Sequence, residues 1–188
     1  AAGTYNIVVT NADSQTGTGV GLYTYQAAPT VTSVSANSGA LAGGTAVTIT
    51  GTGFLAGAVP NFDVSACTGI TVVSSTTITC TTPAHAAGAV TVSVTNTDSQ
   101  VGSAANAFTY RAAPTVSSVS ATAGALAGGT AVTITGTGFY TGSTVTFDGS
   151  TCTTPTVVSA TSITCTTPAH AAGVVNVVVT NADTQTGT

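Results

Sequence analysis

An all-β chain of tandem β-sandwiches is the fold class that this sequence predicts, and three observations predict it. A block of 85 residues recurs without a gap. Within each block apolar residues alternate with Thr and Ser at period two. Phrases rich in Gly and Pro separate the alternating runs at short, regular intervals.

The repeat comes first because it organises the rest. PTVTSVSANSGALAGGTAVTITGTGF at 29–54 returns as PTVSSVSATAGALAGGTAVTITGTGF at 114–139. The same offset carries Phe62 to Phe147, Cys67 to Cys152, Cys80 to Cys165, His85 to His170 and Asn96 to Asn181. It also runs backwards, from Tyr110 to Tyr25 and from Asn96 to Asn11. The chain is thus a window on an array: 1–26 is the C-terminal part of one repeat, 27–111 a complete one, and 112–188 one that lacks its last strand.

Each element has its own justification. TAVTIT at 45–50 sets Val47 and Ile49 on one face and Thr48 and Thr50 on the other. VTVSVT at 90–95 turns Val90, Val92 and Val94 inward; the equivalents are Tyr5, Ile7 and Val9 in the first copy and Val175, Val177 and Val179 in the third. Outward Thr and Ser suit a pleated, half-buried surface. Strands are expected near 30–36, 45–51, 58–63, 70–73, 76–80, 89–96 and 104–110, with equivalents 85 residues later. SGALAGG, GTGF and TTPAH punctuate them. About seven short strands in one repeat is the pattern of an immunoglobulin-like sandwich.

These residues carry a family resemblance. PTVTSVSANSG, AGGTAVTITGTGF, NFDVSAC, TTITCTTPAHAAGAVTVSVTN and AFTY together resemble the IPT/TIG domain, the Ig-like family shared by plexins, some transcription factors and many bacterial surface proteins. This chain is similar to the bacterial extracellular members, which occur as tandem arrays. The resemblance implies the sandwich and an extracellular or partner-binding setting. It implies no activity, because one fold hosts many functions.

Composition narrows the classes. Charged residues make up 3% of the chain, against about 25% in ordinary globular domains. Arg111 is the one basic residue, so no cationic patch exists for phosphate binding and a nucleic-acid role is excluded. A lysine-based isopeptide cross-link is excluded too, for want of lysine. No apolar run approaches the length of a membrane span. The aromatics are too few for the girdles of a porin-type barrel. No signal peptide is expected within these residues, and no Asn-x-Ser/Thr sequon occurs.

Four groups could carry chemistry. Cys67 with Cys80 and Cys152 with Cys165 form one pair per repeat, and pairing within each repeat gives two disulfides. Such a loop stabilises a small domain by about 3 kcal/mol and requires an oxidising compartment. The competing reading makes Cys67, Cys80 and His85 metal ligands, but a closed zinc site takes four, with shorter spacing. His85 and His170, in TTPAHAAG, read as turn residues rather than catalytic bases. TNADSQTG at 10–17, repeated near 95 and 180, offers oxygens that suit calcium but only one carboxylate per copy; hairpin turns are the reading preferred. Asp63 and Asp148 read as turns as well. No catalytic, cofactor or metal site is expected, and no enzyme.

The expected role is structural. Edge strands here lack the charges and prolines that keep soluble sandwiches apart. TYQAAPT and TYRAAPT join successive repeats with no Gly-Ser tether, which favours a stiff, beaded rod, stalk or filament outside the cell or on its surface, in contact with copies of itself. The alternative is an adhesin or a module that recognises carbohydrate or protein. Two assemblies stay open: one long covalent array, or donation of the strand Gly19, Val20, Gly21, Leu22, Tyr23, Thr24, Tyr25 and Gln26 to a neighbour whose third repeat lacks its last strand. Residues 1–18 complicate donation, because they duplicate a strand that the acceptor holds at 174–180.

Overall fold

A computed structural model describes residues 2–188; Ala1, at the head of the 1–26 segment, lies outside the described residues. The described residues hold strands and no helix. Contacts divide the chain into two compact units. One gathers the residues up to Ser35, with Ala46–Pro83 and Val90–Ala107; the other gathers Ala36–Thr45, Ala84–Ala89 and Phe108–Thr188.

In the first unit, β1 (Gly3–Thr10) and β2 (Thr16–Tyr25) form an antiparallel two-stranded sheet. Tyr5, Ile7 and Val9, expected to point inward, are exposed. Alternation buries a face only where a second sheet lies across it, and this hairpin is a two-stranded sheet of its own. The middle repeat opens with β3 (Thr30–Ser35), β4 (Ser38–Ala40), β5 (Ala46–Thr52), β6 (Val59–Phe62) and β7 (Ser65–Ala66). It continues with β8 (Thr68–Ser74), β9 (Thr77–Thr81), β10 (Gly88–Thr95) and β11 (Val101–Arg111). One sheet has the order β3-β5-β9-β8, the other β4-β11-β10-β6-β7. Val47 and Ile49 on β5, Ile78 and Cys80 on β9, and Val90, Val92 and Val94 on β10 are buried, as period two requires.

In the second unit the third repeat rebuilds this pattern with β12 (Thr115–Val119), β13 (Ala131–Thr137), β14 (Thr144–Phe147), β15 (Ser150–Thr151), β16 (Thr153–Ser159), β17 (Ser162–Thr166), β18 (Val177–Thr180) and β19 (Thr186–Gly187). Its sheets run β12-β13-β17-β16 and β15-β14-β18-β19. Val132, Ile134, Phe139, Val145, Phe147, Ile163 and Val179 form the core with the cystine. The tandem Ig-like sandwich read from the residues is therefore what the chain forms.

Two differences from the expected strands have one cause. β4 pairs in parallel with the end of β11, Thr109 opposite Ser38, Tyr110 opposite Gly39 and Arg111 opposite Ala40. Its equivalent, residues 123–125, is not a strand. The strand expected near 174–181 is cut to Val177–Thr180. Both shortened segments flank the line that β11 takes in the middle repeat. A strand needs a partner for its N–H and C=O groups, and short isolated runs do not hold without one.

Candidate functional site

Three places in the fold have geometry beyond that of a packed sandwich: a groove in the third repeat, the peptides that enter the repeats, and the Asn-Asp-Gln turns.

The groove lies along the shortened β18. It encloses about 520 Å3 and is lined by Val119, Gly124, Leu126, His170, Val175 and Val177 among others. Their equivalents in the middle repeat, Val34, Gly39, Val90 and Val92, are buried, whereas Val175 and Val177 are only half-buried and Gly124 and Leu126 are exposed. In the middle repeat Phe108 and Tyr110 of β11 are 0% and 1% exposed. Phe108 packs at the Cα of Gly39, where a Cβ would meet the ring. Tyr110 stacks on His85, with ring centroids 5.0 Å apart and planes at 26°. His85 Nδ1 faces the Ala86 carbonyl oxygen at 2.9 Å, and His170 repeats that contact with Ala171 at 3.0 Å. Both histidines are half-buried.

The entering peptide is tied down in the same way twice. Gln100 Nε2 donates to the Gln26 carbonyl at 3.1 Å, and Gln185 Nε2 donates to the Arg111 carbonyl at 3.1 Å. Each Gln is held in turn by the Asp two residues before it, Asp98 or Asp183, at 2.8 Å. A Cβ on Gly102 or Gly187 would strike the carbonyl oxygen of Pro29 or Pro114, so only Gly lets the strand lie against this peptide. At the second joint the Arg111 guanidinium also sits over the Tyr140 ring, 4.4 Å from its centroid. Burial, then the nearby Asp183, pushes the Tyr140 hydroxyl up to about 12.

The turns use their oxygens internally. Asp98 Oδ1 accepts from the Gln100 backbone N–H at 3.1 Å and Oδ2 from its side chain. The Gln100 side chain and then its backbone N–H hold the Asp98 carboxyl below its usual range. Asn96 is buried: its Nδ2 donates to the Gly53 carbonyl at 2.8 Å and its Oδ1 accepts from Leu55 N–H at 3.2 Å. Asn181 repeats the bond to Gly138, and here Ser143 Oγ donates to Asn181 Oδ1 at 2.6 Å. Ser14, Ser99 and Thr184 take left-handed φ of 68°, 67° and 68°, the geometry of a tight turn. Asp63, with φ of 51°, accepts from Thr91 N–H at 2.8 Å and thereby pins the turn to β10; Asp148 does so to Asn176. Among the described residues no cluster of three metal-ligating side chains exists.

The cystines are Cys67–Cys80 and Cys152–Cys165, with Cα atoms 6.1 Å apart in each. The segment 19–26 lies in β2 and just beyond it, with Tyr23 53% and Tyr25 57% exposed. The Gln clamps, the Asn struts and the Arg111–Tyr140 stack were not anticipated from the residues. One signal was present. Gln26 becomes Arg111 and Leu55 becomes Tyr140 across the repeat, and both changes fall at one joint.

The comparisons bear on this architecture. The IPT/TIG domain family matches residues 29–110 and 114–188. Two structures of the plexin A4 extracellular region resemble the chain at 22% and 24% identity, with TM-scores of 0.51 and 0.46, over 84% and 92% of its length. A surface glycan-binding protein, SGBP-B of Bacteroides uniformis, aligns over 86% of the chain at 21% identity and a TM-score of 0.39. The chain spans 17% and 15% of the two plexin chains and 48% of the glycan-binding one. No curated protein matches it by sequence. The repeats, the two-sheet sandwiches and the family match over both repeats make this chain a member of the IPT/TIG domain family.

Proposed function

We propose that the chain is a structural element outside the cell or on its surface: tandem IPT/TIG repeats that form a stiff rod, stalk or filament. The observation that carries this reading is the repeated joint. The same Gln-to-carbonyl bond and the same Gly-to-Pro approach fix the entering peptide at both repeats. A spacer needs identical, stiff joints, whereas a recognition module needs side chains that differ from copy to copy. Core and clamp residues recur, among them Phe54 and Phe139, Phe62 and Phe147, and Gln100 and Gln185. The cystines support an oxidising compartment. With 3% charged residues, contacts with further copies face little repulsion. The family domain is a non-catalytic Ig-like module, and nothing in the role proposed needs an enzyme.

Negative-stain microscopy of native material tests the proposal. Rods or filaments are expected. Dispersed short particles that bind a glycan array would replace it with the adhesin reading.

A further inference from the structure

A hollow on the outer face of the sheet β12-β13-β17-β16 is lined with hydroxyls and carries no charge. We propose that it is a binding subsite for a neutral saccharide, held by Thr133, Thr154, Thr156, Thr164 and Thr166. The proposal goes beyond the structural reading above and does not rest on it.

The strands bring these residues together. Thr133 on β13 and Thr156 on β16 both stand opposite Thr164 on β17, and Thr166 stands opposite Ala131 further along. Val132 and Cys165, which alternate with them, are buried, so the threonines face outward. The register slips between Thr153 and Thr156, and a bulge of this kind turns a side chain in a new direction. The hollow encloses about 340 Å3, at the small end of ligand pockets, which span about 300–1,000 Å3. Its opening belongs to the sandwich face itself. Thr48, Thr71, Thr79 and Thr81 of the middle repeat are exposed to the same degree as their equivalents here, although a further repeat follows them in the chain.

The lining selects a class of ligand. It holds no ionisable side chain other than a cysteine locked in a cystine, so neither an anion nor a cation finds a counter-charge there. Among the described residues the hydroxyls of Thr133, Thr154, Thr164 and Thr166 have no hydrogen-bond partner, and that of Thr156 reaches only the Thr154 carbonyl oxygen, at 3.5 Å. An apolar ligand would take these groups out of water and leave them unpaired, which is costly. A saccharide answers them, because every hydroxyl on either side both donates and accepts. The threonine methyls and Ala131 give its C–H face an apolar floor.

One difference between the repeats falls on this hollow. Thr154 stands where the middle repeat has Gly69, and Pro155 where it has Ile70. The backbone is left-handed at both places, with φ of 52° at Thr154 and 60° at Gly69. Glycine takes that conformation freely, whereas a β-branched residue takes it only under strain. The third repeat bears this strain and sets one more hydroxyl at the hollow.

The experiment titrates the full, isotope-labelled chain with maltotriose, cellotriose and mannotriose and follows backbone amides by NMR, with trigalacturonate as the charged control. Saturable shifts at Thr133, Thr154, Thr156, Thr164 and Thr166 are expected with at least one neutral sugar, and none with the control. The equivalent amides of the middle repeat should shift less, because Gly69 supplies no hydroxyl. Thr164→Val removes one hydroxyl at nearly constant shape and should weaken binding about 5-fold. Thr154→Gly installs the residue of the middle repeat, relieves the backbone and should weaken binding by a similar factor. Unchanged shifts of Val145 and Val179, in the opposite sheet, show that both variants fold. The proposal is overturned if no saturable shift occurs at these amides, if the charged control binds equally well, or if affinity survives both substitutions. None of these results touches the rod, which microscopy tests separately.

Discussion

Asn96 offers the sharpest test of the packing because the chain contains its own controls. The side chain is 3% exposed and makes two hydrogen bonds that bind the GTGF turn to the β10 end. Asn96→Ala deletes both and leaves the Gly53 carbonyl and the Leu55 N–H without that partner. Each bond contributes about 1 kcal/mol net; Gly53 is exposed, so its carbonyl can turn to water, whereas the half-buried Leu55 N–H left without a partner adds about 1–2 kcal/mol. The total loss expected is about 2–4 kcal/mol. Asn181→Ala should cost less, about 1–2 kcal/mol, because the Ser143 hydroxyl still donates to the Tyr140 carbonyl at 2.7 Å and only the Gly138 carbonyl loses its bond. Asn11 occupies the same place in the hairpin and is exposed, so Asn11→Ala should stay within about 0.5 kcal/mol. Hydrogen exchange read peptide by peptide gives each repeat its own opening free energy. A loss below about 0.5 kcal/mol for Asn96→Ala, or a reversed order of the three, would refute the strut.

Three further outcomes are expected. Cys67→Ser with Cys80→Ser should lower the stability of the middle repeat by about 3 kcal/mol, read as a lower urea midpoint than the parent, because the bridge closes a short loop in the unfolded chain. The Tyr140 hydroxyl is raised from 10.0 to about 12 in the fold, so its contribution is complete below pH 10 and fades as pH climbs through about 12. Phenolate absorbance should show a step near pH 12, and Tyr140→Phe should reduce it. Added calcium should leave the melting temperature unchanged, since both Asp98 oxygens already accept from Gln100; a clear rise would mean that the turns bind the ion.

Much of the fold was legible because its causes are local. Val90, Val92 and Val94 alternate, and β10 buries all three. The cysteines pair within the repeat because β9 and the β7–β8 connection bring Cys80 and Cys67 together. Other features had no local cause. Ser38-Gly39-Ala40 has no strand propensity; it becomes β4 because β11 arrives beside it. Tyr5, Ile7 and Val9 carry the same pattern as β10 and stay exposed, because pattern states which face is apolar and not whether anything covers it. Gln100 and Asn96 looked alike within one polar turn, and only the fold separates the clamp on the entering peptide from the buried strut. Arg111 and Tyr140 were readable only as a pair of changes at one joint.

The strand that completes a repeat also leads directly into the next one. Phe108 and Tyr110 close the middle sandwich, and Arg111, one residue on, lies over Tyr140 while its carbonyl accepts from Gln185. Closing one repeat and fixing the entry of the next are therefore done by one continuous peptide.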